Sequence, residues 1–235
     1  MIKHYPFQQL GKAQHGWLKT HHHFSFAQYY NPRRMGFASL RVINDDWIAP
    51  QTGFAKHPHK NMEIISYIRS GAIAHEDSKG NKGVTHAGQV QVMSAGTGIW
   101  HSEYNRSDEP TTLFQIWIEP NQTNVTPRWE SMNFPTQYTS EKLTLLVSGF
   151  PEDKNKALFI HQSARLFAGK LSKGAKITHG ITHQVYIVAS QGSVEIITDK
   201  QRTIMHRGDG AEVTLSDSVQ INALENSEVI VLDVP

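Results

Sequence analysis

The sequence predicts an all-β protein built from two copies of one β-domain. Three observations carry this. Short runs rich in Val, Ile, Phe and Tyr are separated by Gly, Pro, Asn and Asp turn signals. No segment sustains a helical period of apolar residues. The strand pattern also occurs twice along the chain.

In the first half, strands are expected at Phe37–Ile43, Glu63–Arg69, Gly71–His75, Gln89–Ser94 and Leu113–Glu119. Each is β-branched or aromatic and bounded by a turn residue, and Asp77-Ser78-Lys79-Gly80-Asn81 reads as a hairpin connection. In the second half they are expected at Lys142–Ser148, Leu158–Leu166, Val185–Ala189, Ser193–Ile197, Ala211–Thr214, Val219–Ala223 and Glu228–Val234, with Thr198-Asp199-Lys200 as a turn. Many short strands at close spacing indicate a barrel or sandwich.

The repeat is local and in order. Tyr67-Ile68-Arg69-Ser70-Gly71 resembles Tyr186-Ile187-Val188-Ala189-Ser190-Gln191-Gly192, and His86-Ala87-Gly88-Gln89 resembles His206-Arg207-Gly208-Asp209. Tyr67 to Gly88 is 21 positions and Tyr186 to Gly208 is 22. The expected domains are 1–120 and 121–235, joined by a polar linker from Pro120 to about Pro135.

A chain of 235 residues with 19% charged and 38% hydrophobic residues has an ordinary globular composition. A net charge of +2 without a basic run gives no reason to expect nucleic acid. There is no cysteine, which excludes disulfides, thiolate metal sites and cysteine nucleophiles. No signal-peptide pattern and no apolar run of membrane-helix length is present, so a cytoplasmic location is expected.

The unusual count is 14 histidines. His57 and His59 lie two residues apart, and so do His101 and Glu103, a spacing that turns both side chains of a pair to one face of a strand. One such pair alone reads as polar residues on a strand edge. A second pair on a later segment, after a Gly turn, favours three imidazoles and a carboxylate converging on one metal ion. Glu63 shares the strand parity of His57 and His59, so these residues leave the fourth ligand open between Glu63 and Glu103. At an offset of 120 the four positions become Ile177, His179, Ile221 and Ala223, which confines the expected metal to the first domain. His21-His22-His23 reads as a strand start, His75 and His86 as hairpin residues, and His179 and His183 as lining or surface residues. Arg41 with Asp45-Asp46 reads as a charged pair at a barrel edge or as solvated side chains.

The joint pattern Gly53-x3-His57-x-His59-x3-Glu63-x7-Gly71, then Gly98-x2-His101-x3-Asn105, resembles the two signature motifs of the cupin superfamily. More specifically, the chain resembles bacterial pirin-family proteins. The resemblance rests on Gly16-Trp17-Leu18, Phe24-Ser25-Phe26, Gly36-Phe37, Leu40-Arg41-Val42, His57-Pro58-His59-Lys60-Asn61-Met62-Glu63, His75-Glu76-Asp77-Ser78-Lys79-Gly80-Asn81, Met93-Ser94-Ala95-Gly96-Thr97-Gly98-Ile99-Trp100-His101-Ser102-Glu103 and Gln115-Ile116-Trp117-Ile118.

The resemblance implies two tandem cupin barrels. It implies a metal held by His57, His59, His101 and Glu103 in the first barrel, with Glu63 beside a ligand imidazole. It further implies quercetin 2,3-dioxygenase activity on a flavonol and O2, with Glu103 first and Glu63 second as the proton-accepting carboxylate. Fe(II) is the expected metal, with Ni, Cu, Mn, Co or Zn also compatible with the ligand set. The alternative carried by the same family is a metal-binding regulatory protein that acts through a protein partner without efficient turnover. Phe24, Phe26, Trp100 and Tyr104 are candidate walls for a flat substrate, with core packing the expectation for the two Phe.

Overall fold

The computed structural model describes residues 1–235 and is almost entirely β. In chain order the first strands are β1 (Ile2–Tyr5), β2 (Gly11–Gln14), β3 (Leu18–His22), β4 (Leu40–Ile48), β5 (Thr52–His59), β6 (Glu63–Ser70), β7 (Ala72–Asp77), β8 (Lys82–His86), β9 (Gln89–Ser94), β10 (Ile99–Asn105), β11 (Thr111–Ile118) and β12 (Arg128–Asn133). They continue with β13 (Tyr138–Thr139), β14 (Thr144–Ser148), β15 (Leu158–Phe159), β16 (Arg165–Leu171), β17 (Lys176–Gly180), β18 (Gln184–Gln191), β19 (Ser193–Ile197), β20 (Arg202–His206), β21 (Gly210–Val213), β22 (Ser218–Ala223) and β23 (Ser227–Val234). No helix is long and apolar enough to cross a membrane.

Two compact units form, and their sheets follow corresponding strand orders. Gly11–Phe134 with Leu158–Gln162 makes the N-terminal barrel. Its sheets run β12-β9-β6-β11-β4-β3-β2 and β5-β10-β7-β8. Met1–Leu10, Pro135–Ala157 and Ser163–Pro235 make the C-terminal barrel. There the corresponding orders are β1-β21-β18-β23-β16-β14, with β13 parallel to β16, and β17-β22-β19-β20.

Beside the expected domains 1–120 and 121–235, this division differs in where the first ten residues and the segment after Pro120 pack. The first ten residues belong to the C-terminal barrel because β1 pairs antiparallel with β21, Ile2 opposite Val213. The expected linker contains β12, which pairs with β9 from Arg128↔Ser94 to Asn133↔Gln89. Each extra strand covers the edge of a sheet that would otherwise expose unpaired backbone groups.

The repeat is also one of register. His57 pairs with His101 in the first barrel, and Ile177 pairs with Ile221 in the second, both displaced by 120. The C-terminal barrel holds an aliphatic cluster in which Ile177, Ile221 and Ala223 pack among Val185, Ile187, Val194, Ile196 and Val231. The N-terminal barrel includes two smaller apolar clusters. One is Leu18, Ile48, Ile68, Ile73 and Leu113, and the other is Ile64, Met93, Ala95 and Ile99.

Two strand expectations change. β4 runs on to Ile48 rather than stopping at Ile43, because Asn44 and Asp46 turn inward and are buried. The expected Leu158–Leu166 strand is two, β15 and β16. Asp46 is therefore neither an edge residue nor solvated, whereas Asp45 forms an ion pair with Arg69. Arg41 donates to the carbonyls of Ser25 and Met35.

Candidate metal centre

His57 and His59 stand at the end of β5, beside His101 on β10. Their ring centroids lie 4.8 Å (His57–His59), 4.5 Å (His57–His101) and 4.9 Å (His59–His101) apart. One nitrogen from each ring lies within 4.8 Å of the others, so the three form one potential ligand group. The register between β5 and β10 shifts between His101 and Glu103, where Glu103 opposes Phe54 rather than Ala55. A bulge of this kind puts an extra residue in one strand and re-aims the side chains beside it.

Nδ1 of His57 lies 2.7 Å from the carbonyl oxygen of Ala55, which can only accept, so Nδ1 carries a proton and Nε2 is the nitrogen left to the cluster. That Nε2 lies 3.2 Å from Nε2 of His101. Burial, followed by the neighbouring imidazoles, lowers His59 and His101 to about 3, so both are neutral at neutral pH. Neutral rings bring lone pairs together, and a shared proton or a metal ion relieves that arrangement. The donor set suits a divalent transition metal.

Glu103 is buried on β10 and held by three donors. Ser66 and Gln91 donate to Oε1 at 3.1 and 2.5 Å, and Gln115 donates to Oε2 at 3.1 Å. It groups with His75 and His101 within 4.8 Å, rather than with His57 and His59. His101 thus links the imidazole cluster to the carboxylate.

Glu63 stands apart from both groups. Chain parity fails here because β5 ends at His59 and Asn61 turns with φ +49° before β6 begins. On β6, Ser66 faces Glu103 while Glu63 has the opposite parity. It accepts from Ser94 at 2.7 Å and pairs with His161 at 3.3 Å. Burial raises the Glu63 carboxyl, against the opposing hydrogen bonds of Ser94 and His161.

Residues not picked out by sequence complete the site. Gln91, Gln115 and Ser66 are inward on neighbouring strands, paired as Ser66↔Gln91 and Gln115↔Ser66. The available signal was alternation, as in Gln89-Val90-Gln91-Val92. His75 is buried inside the barrel instead of at a hairpin surface, with its ring 5.3 Å from that of His101. Trp117 meets His59 edge-on at 4.9 Å and Phe26 edge-on at 5.3 Å. Beside it a cavity of about 270 Å³ is bounded by Phe26, Tyr29, Met35, Arg41, Met62 and Trp117. Of the other expected walls, Phe24 is buried under Arg34 and Trp100 is half exposed. His22 is buried and bonds Asn44 at 2.7 Å. His179 lies in the C-terminal barrel, edge-on to Phe167 at 4.6 Å.

Paired β-barrels of this topology, one with a histidine cluster between β5 and β10, define a bicupin. Residues 5–118 match the family model described as Pirin, and residues 145–234 match the quercetinase C-terminal cupin domain. The chain is 48% identical to a pirin-like protein of Caulobacter vibrioides, over 99% of each chain. It is 42% identical to the quercetin 2,3-dioxygenase of Escherichia coli K12, over 96% of this chain and 95% of that one. The crystal structure of the bacterial pirin YhhW from Escherichia coli in complex with nickel(II) superposes with a TM-score of 0.92 at 41% identity, covering 100% of this chain and 99% of that one. The chain belongs to the pirin family.

Proposed function

We propose that this protein is a metal-dependent dioxygenase that opens the heterocyclic ring of a flavonol such as quercetin with O2, releasing CO. The observation that carries it is the cluster of three imidazoles within 4.8 Å of one another, with Trp117 between it and an aromatic-walled cavity. The relative named quercetin 2,3-dioxygenase supports the choice of substrate.

In this reading His57, His59, His101 and Glu103 are the metal ligands. A bound divalent metal would act as a Lewis acid that stabilises the flavonol oxyanion. Glu103 accepts the proton of the flavonol 3-hydroxyl, its carboxylate held in place by Ser66, Gln91 and Gln115. The flat substrate lies against Trp117, with Phe26 and Tyr29 as further walls and Arg41 at the polar side of the cavity. Glu63, tied to Ser94 and His161, is left out of the proton transfer.

The test is turnover. Protein loaded separately with Fe, Ni, Cu, Mn and Co is incubated with quercetin, and loss of visible absorbance is followed together with CO. Matching amounts are expected with at least one metal. Trp117→Ala is expected to raise KM by about tenfold, the equivalent of about 1.4 kcal/mol of lost contact, with bound metal unchanged. No turnover with any metal would overturn the enzymatic reading and favour the regulatory one.

A further inference from the structure

Behind the imidazole cluster lies a second, fully enclosed set of polar side chains. Nε2 of His75 lies 2.9 Å from Oδ2 of Asp77, and neither side chain has any exposure. On the other side of the His75 ring, Nδ1 faces Nδ1 of His101 at 3.5 Å.

Counting protons along this row fixes its direction. Asp77 accepts from the backbone amides of Lys79 and Asn81 and from the side chain of Asn81. Burial pushes its carboxyl up, but the hydrogen bonds from His75, from Asn81 and from those amides outweigh burial and hold it below its ordinary value. An ionised carboxylate only accepts, so Nε2 of His75 carries the proton. With Nε2–H given to Asp77, Nδ1 of His75 is left to accept, and the hydrogen that fits the 3.5 Å contact sits on Nδ1 of His101. Nε2 of His101 is left as the lone pair on the side of His57.

The row is also held sterically. Trp129 of β12 stacks on the His75 ring at 5.0 Å and 10°. Gly83 lies opposite His75 in the β7–β8 ladder, and a Cβ there would stand 2.3 Å from Cη2 of Trp129. The missing side chain at Gly83 is what lets the indole lie flat on the imidazole. The indole Nε1 of Trp129 donates to Gln91, which itself donates to Glu103.

We propose that Asp77 and His75 are positioning residues that hold His101 in its Nδ1–H tautomer, with Nε2 presented to His57 and His59. The proposal rests on the reading of His101 as a metal ligand. A buried partner on the second nitrogen of a ligand imidazole fixes its tautomer and ring orientation, and removing one costs about 10–100-fold in metal affinity.

The test begins in the metal-free chain, where nitrogen-15 NMR of the histidine rings reports tautomers directly. The expected result is Nδ1–H at His101 and Nε2–H at His75. His75→Phe keeps a flat ring for Trp129 but removes the acceptor, and is expected to mix the His101 tautomers and weaken nickel(II) binding by about 10–100-fold. His75→Asn restores an acceptor near the place of Nδ1 and is expected to recover both readings. Three results overturn the proposal. They are a wild-type His101 protonated on Nε2, His75→Phe and His75→Asn failing equally, and two nickel ions per chain falling to one in His75→Phe, which would make His75 a ligand. Nickel retained in His101→Ala would sink the ligand reading instead, while the tautomers of the metal-free chain stay readable.

Discussion

Three buried donors converge on Glu103, and this decides what a substitution there does. Glu103→Gln replaces one acceptor oxygen by an amide that faces Ser66, Gln91 or Gln115 donor to donor. An unmatched buried donor costs about 1–3 kcal/mol. We expect Glu103→Gln to lower stability by that amount in urea titrations and to weaken nickel(II) retention by at least about tenfold in chelator competition. Glu63→Gln keeps an oxygen for Ser94, and His161 can present either nitrogen state to the amide. Its nickel retention is expected to stay within about twofold of the wild type. The opposite order of the two variants would move the carboxylate ligand to Glu63.

At the scale of strands, the site depends on how closely β5 approaches β10. A Cβ on Gly53 would stand 2.2 Å from the backbone oxygen of Glu103 and 2.6 Å from Cα of Tyr104. Backbone atoms cannot rotate out of the way, so Gly53→Ala must push the strands apart beside the bulge that aims His57. We expect it to cost about 1–3 kcal/mol in thermal or urea unfolding and to reduce nickel binding. Unchanged binding would show that the cluster tolerates strand separation. The same strands show what sequence could and could not reveal. The spacing of His57 with His59 and of His101 with Glu103 is a strand property, and β5 and β10 keep it. Parity counted from His57 and His59 does not carry to Glu63, because β5 ends and the chain turns at Asn61 before β6 begins. Ser66, Gln91 and Gln115 carry no distinct sequence signal, and His75 reads as a hairpin residue, because single polar residues on buried strands look like ordinary alternation. Only the pairing of β6, β7, β9, β10 and β11 brings them to one point.

Across the whole molecule, duplication produced two barrels of one register, the second aliphatic at Ile177 and Ile221 where the first carries His57 and His101, and the first barrel also buries several ionisable groups. Those groups tie stability to pH. Asp46 is raised from 3.8 to about 7, first by burial and then by the nearby acids Asp45 and Glu103, against Thr20. Between those values the folded chain keeps a proton that the unfolded chain has released. The stability this supplies is complete below pH 3.8 and is lost as pH rises towards about 7. His23 acts in the other direction: burial, followed by Arg34 and the adjacent histidines, lowers it from 6.5 to about 3. Its unfolded form binds the extra proton, so stability is complete above pH 6.5 and falls as pH drops towards about 3. In the metal-free chain His59 and His101 add to the histidine effect, each lowered to about 3. Each group contributes a slope of up to about 1.4 kcal/mol per pH unit, and Asp46 cancels one histidine where the ranges overlap. Asp46→Asn removes the opposing slope. In urea titrations of the metal-free protein, its stability is expected to climb more steeply than that of the wild type from about pH 4 to 6.5. Above about pH 7 it is expected to exceed the wild type by roughly 1–3 kcal/mol, because no buried carboxylate has to ionise. Parallel curves for the two proteins would mean that Asp46 ionises in the fold as it does in the unfolded chain, and that the carboxylate finds its compensation inside the barrel.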